Sequence, residues 1–157
     1  MSSQLWQTAA VGPVAFEIPS SATSSVEQRA DQPDVVRFFG ERGLVVAVSA
    51  FTVQGLTAVV VRELTSAVIE AYEDRPGYLL RALGLVEVAG AAVADAASFV
   101  WLSPKEEQVS SVCVAGVVAG GRAALVHACM PKLNEDDDPS WMKSVVESIR
   151  FDVAMPA

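Results

Sequence analysis

"SSVCVAGVVAGGRAALVHACM", Ser110 to Met130, decides how this chain folds. Two apolar arms flank Gly120-Gly121, and a glycine pair between apolar runs signals a β-hairpin. Neither arm alternates cleanly. A strand with one wet face alternates apolar and polar side chains, whereas a near-continuous apolar strand is covered on both faces. The hairpin therefore predicts a sheet sandwiched between two layers, and helices on both faces would supply them.

Downstream, "DDDPSWMKSVVESIRF" (Asp136 to Phe151) reads as one of those helices. Asp138 suits the N-cap, Pro139 the first helical position, and the acids before them the positive end of the helix. Trp141, Val145 and Ile149 share a stripe, with Met142 and Val146 beside it, and a short strand around Ile149 to Val153 follows. Asp136 to Asp138 lack the spaced pattern of a calcium loop and read as capping and solvation.

Upstream, "LVEVAG" and "AAVADAASFVWL" read as strands separated at Gly90, and "PKEEQ" (Pro104 to Gln108) as a polar turn. "LTAVVVRELTSAVIEAYEDRPG" (Leu56 to Gly77) begins with a valine triplet that favours a strand. Yet Leu56, Val60, Leu64, Val68 and Tyr72 recur at four-residue steps opposite Arg62, Glu63, Ser66, Glu70 and Glu73. That periodicity predicts an amphipathic helix, broken at "RPG", with a second helical piece near Tyr78 to Leu83. "VVRFF" and "LVVAVSAFTV" flank "GERG" as another hairpin. "SSATSSVEQRADQPD" reads as a loop with one helical turn around Glu27, and "VAFEIP" (Val14 to Pro19) as the first strand. Residues 1–12 read as an N-terminal arm of a single domain spanning 1–157.

Composition supports one domain with a true core: 157 residues, 52% hydrophobic and only 7% aromatic, so Ala and Val fill it by close fit. The net charge of −8 speaks against nucleic acid, which needs a cationic face. No apolar run is long enough to insert through a membrane. The N-terminus "MSSQLWQTAAVG" has neither the basic nor the apolar region of a signal, so the expected location is cytoplasmic.

"VAFEIP", "LVEVAGAAVADAASFVW" and the closing "SWMKSVVESIRF" together resemble the PsbP-like α/β/α sandwich superfamily, which includes DcrB-type proteins, LpqN-type actinobacterial lipoproteins and EagR-type secretion chaperones. The Ala- and Val-rich composition resembles that of high-GC actinobacterial proteins, so such an origin is expected. The resemblance implies an α+β fold, a mainly antiparallel β-sheet with helices on both faces. It also implies accessory work on a partner protein, with no shared catalytic set. "MSSQLWQTAAVG" shows neither the signal nor the lipobox of the lipoprotein members, so their envelope role is not expected here.

The chemistry-bearing residues are few. His127 is the single histidine, so a multi-histidine metal site is excluded, and two cysteines without C-x-x-C fall short of the four ligands of structural zinc. His127 and Cys129 share a strand face, but no oxyanion turn or orienting carboxylate lies nearby, so a packed histidine is expected. The glycines of "VVAGGRAAL" lie between strands rather than before a helix, so they are a turn and not a phosphate cradle. Adjacent Glu106 and Glu107 diverge and read as a solvated turn. A two-residue turn at Gly120-Gly121 would point Cys113 and Cys129 to opposite faces. A three-residue loop centred on Gly121 would set them opposite each other. The glycine pair favours the former, hence two reduced, buried thiols. Trp101 and Trp141 are expected in the core.

Two functional readings follow. The first is a non-catalytic binding or accessory protein, with no metal and no cofactor, that contacts a protein partner or a second copy through Trp6, Leu56, Val60, Leu64 and Tyr72. The second is an apolar-ligand binder or enzyme with a cleft near Trp101 and His127, for which Ala96, Ala97, Ala115 and Gly116 would leave room.

Overall fold

The computed structural model describes residues 5–55, 57–131 and 140–151, the side chains of 140 and 141 excepted. The chain opens with β1 (Trp6–Val11) and β2 (Val14–Pro19), then β3 (Thr23–Arg29), β4 (Gln32–Phe39) and β5 (Val45–Thr52). Helix α1 (Ala58–Tyr72) follows, then β6 (Leu79–Val86), β7 (Val93–Leu102), β8 (Gln108–Val118) and β9 (Arg122–Pro131). The chain closes with α2 (Ser140–Glu147) and β10 (Arg150–Phe151). Among the described residues, β3-β4-β5-β9-β8-β7-β6 form one seven-stranded sheet and β1-β2-β10 a three-stranded one. Every pairing is antiparallel.

The large sheet is covered on both faces, as its unalternating arms require. Toward one face, Val114, Val118, Ala124, Val126, Ala128 and Met130 meet Phe16 and Ile18 of β2, Met142 and Val145 of α2, and Phe151 of β10. Toward the other, Ala115, Val117 and Ala123 lie under Val61 of α1. Phe16 and Ile18 are fully buried, and burial of such side chains is worth about 1.5–3 kcal/mol each. Gly116 serves the first face: a Cβ there would stand 2.4 Å from the ring of Phe151. Ala115 and Gly116 thus seat the protein's own elements, the one beneath α1 and the other beneath Phe151, whereas Ala96 and Ala97 line a cavity beside β6.

Four local expectations are corrected. Residues 6–11 of the expected arm form β1, paired along its length with β2. The polar stretch around Glu27 is strand β3, held by β4 and turned at Asp31, whose φ is 61°. The piece near Tyr78 to Leu83 is β6 rather than helix, because pairing with β7 overrides the helical preference of Leu, Ala and Arg. The β8–β9 loop holds three residues centred on Gly120, with Val118 opposite Arg122. Gly120 and Gly121 take φ of 92° and 82°, which non-glycine residues rarely adopt. In this register Cys113 faces His127 and Cys129 faces Ser111. Both thiols therefore lie on the α1 face, diagonally offset and unbridged. The expected cap at Asp138-Pro139 and the strand beyond Phe151 lie outside the described residues.

Candidate functional site

On the α1 face, the end of the helix and strands β7 and β9 bring together an aromatic cluster. The Tyr72 ring lies 5.3 Å from Phe99, 5.3 Å from Trp101 and 5.2 Å from His127, centroid to centroid. The Arg75 guanidinium sits 4.2 Å from the Tyr72 ring and 4.7 Å from that of Trp101. The indole Nε1 of Trp101 donates to Ser111 Oγ at 3.1 Å. His127 and Trp101 are thus on one face, with Tyr72 between them.

His127 and the two thiols are held toward their neutral forms. Burial lowers the His127 pKa to about 4, with a smaller push from Arg75. Burial raises the Cys113 thiol to about 12 and also raises Cys129. His127 Nε2 is 3.9 Å from Cys129 Sγ, but the lowered pKa makes the imidazole a weak base and the raised pKa makes the thiol harder to ionise, a poor match for an activated nucleophile. No group of three or more metal-ligating side chains occurs among the described residues.

A second polar feature went unread in the sequence. Asp95 of β7 is fully buried and receives Arg62 Nε at 2.6 Å, Arg62 Nη2 at 2.9 Å and Thr65 Oγ1 at 2.5 Å. Burial pushes its carboxyl up, and the Arg62 and Thr65 hydrogen bonds more than offset this, leaving it below the usual 3.8. One acid inside the apolar "AAVADAASFVWL" was the available signal. Its partners lie 33 and 30 residues away on α1, where the periodicity puts Arg62 on the polar side.

The Arg62 side chain remains 42% exposed, and α1 packs chiefly on β7 and β8. Between α1 and β6 runs a groove of about 480 Å³, lined by Val59, Arg62, Glu63, Ser66, Glu70 and Leu85 among others. Beyond it, β6 exposes Leu79, Leu80, Leu83, Leu85 and Val86 by 38–57%. Among the described residues β6 is hydrogen-bonded only to β7 and ends the sheet.

The residues expected to bind a partner are dispersed. Trp6 is half-buried on β1 against the larger core, and Leu64 packs on the Val61 cluster. Tyr72 belongs to the aromatic cluster, Val60 is half-buried on the first turn of α1, and Leu56 lies outside the described residues.

No family profile matches the chain, and no curated protein matches it. Among solved structures it is similar to the solution structure of cyanobacterial PsbP (CyanoP) from Synechocystis sp. PCC 6803. The two share 14% identity at a TM-score of 0.66, over 96% of this chain and 94% of that one. It is also similar to LpqN, involved in cell envelope biogenesis of Mycobacterium tuberculosis, with 8% identity and a TM-score of 0.51 over 96% and 92% of the two chains. At such identities the likeness shows the fold: PsbP-like, α+β, mainly antiparallel, with helices on both faces of the large sheet.

Proposed function

We propose that this chain is a non-catalytic accessory protein that works by protein–protein contact along the β6 edge. One observation carries the reading. An edge strand presents unpaired N–H and C=O groups, and soluble proteins ordinarily guard it with charge. This one carries a single charge, Arg81, among five large exposed apolar side chains next to an open groove. Such a surface is a binding surface. The neutral His127 and protonated thiols support the non-catalytic half, and the fold shared with CyanoP and LpqN supports accessory work.

A photoreactive residue at Leu83, and separately at Val26 on the opposite edge, tests this in native cells. The reading predicts protein adducts from position 83 and none from position 26. No adduct from position 83 overturns it.

A further inference from the structure

Resting on that reading of the β6 edge, we infer that its occupant is β6 of a second copy, paired antiparallel about a two-fold axis at Gly84. In an antiparallel pair, directly opposed residues point to the same face of the sheet. Two identical strands related by a two-fold axis normal to the sheet therefore centre on a residue, never between two. The available centres are Ala82, Leu83, Gly84 and Leu85.

Charge selects among them. Arg81 and Glu87 flank the apolar stretch, both are exposed, and neither has an ion-pair partner among the described residues. Centring on Gly84 sets Arg81 opposite Glu87 of the second copy, twice by symmetry. Centring on Leu83 sets Arg81 against a leucine and Glu87 against Leu79. Centring on Leu85 sets Glu87 against Leu83, and centring on Ala82 sets Arg81 against Leu83 and leaves Glu87 beyond the pairing.

The same centre suits the side chains. Leu83 and Leu85 oppose Ala97 and Asp95 of β7, so both lie on the α1 face. Across the axis Leu83 meets Leu85 of the second copy and the reverse, giving four leucines that extend the layer begun by α1. Val59, 65% exposed on the first turn of α1, lines the groove at this border. On the other face Ala82 meets Val86, and nothing of the protein's own lies within 4 Å of a Cβ built on Gly84. The register with β7 shifts between Leu80 and Ala82, which makes Arg81 the extra residue of a bulge. A bulge bends its strand and ends regular pairing, so the charge stands where the contact stops.

Sedimentation velocity on the full chain tests the register. The wild type should dimerise in the micromolar range, and R81E and E87R should each weaken dimerisation by about tenfold. The double variant R81E/E87R should restore it to within about threefold of wild type, the signature of a direct pair. Thermal melts check that all three variants are folded, which exposed positions favour. A wild type monomeric at every concentration, or a double variant as weak as either single one, overturns the inference. Adducts from Leu83 with a foreign protein and never with a second copy would also overturn it, while leaving the proposed function standing.

Discussion

The two edges of the seven-stranded sheet occupy equivalent positions and are built oppositely. β3, "TSSVEQR", is exposed along nearly its whole length, yet its one large apolar side chain in the open is Val26. Glu27 pairs with Arg37 across to β4, and Arg29 donates to the Pro33 carbonyl at 3.1 and 3.2 Å. Charge, hydroxyls and a register shift near Glu27 guard it against pairing. β6, "LLRALGLV", is as exposed and also shifts register, but five of its eight residues are large, exposed apolar side chains. Exposure alone therefore does not mark an interface. What matters is whether the exposed edge carries groups that water satisfies.

The largest effect should come from making β6 resemble β3. Leu83→Glu together with Leu85→Glu should raise the dimer dissociation constant by about a hundredfold or more, since four leucines leave the contact. Val26→Glu on β3 should leave it unchanged, with sedimentation reading both. Next, Asp95→Ala removes the buried acceptor that ties α1 to β7 beside the groove. It should lower the unfolding free energy by about 3 kcal/mol in urea titration. Gly116→Ala acts on the far face, where its Cβ meets the Phe151 ring. It should cost about 2 kcal/mol of stability and leave dimerisation intact, which separates loss of fold from loss of edge.

The smallest effect is one of pH. The folded pKa of His127 lies near 4, against 6.5 for the ordinary group. As pH falls below 6.5 the unfolded chain takes up a proton that the folded chain refuses, so stability drops until about pH 4. Asp95 works lower: its depressed pKa adds stability above 3.8, lost as pH falls through its folded value. Between pH 6.5 and 5 thermal melts should therefore show a loss of about 1–2 kcal/mol that His127→Phe removes.

The sequence made legible what its own periodicity encodes. The arms of β8 and β9 are apolar because both faces are buried, and α1 repeats at helical steps because one side meets the sheet. β3 was hidden because a strand wet on both faces has no alternation, and its pairing comes from β4. β6 was hidden because leucines, alanine and arginine suit a helix until β7 supplies hydrogen bonds. The Cys113 and Cys129 register turned on one residue of loop length. Arg62 and Asp95 find each other only through the packing of α1. The candidate interface shares this cause: an edge exists only once a sheet has been ordered.

Amide hydrogen exchange at two protein concentrations, straddling the dimer dissociation constant, compares the edges in one experiment. The amides of Ala82 to Val86 that point away from β7 should exchange slowly at high concentration and quickly on dilution, while those of Thr23 to Arg29 exchange at one rate throughout. Exchange along β6 that stays fast and independent of concentration would contradict the account.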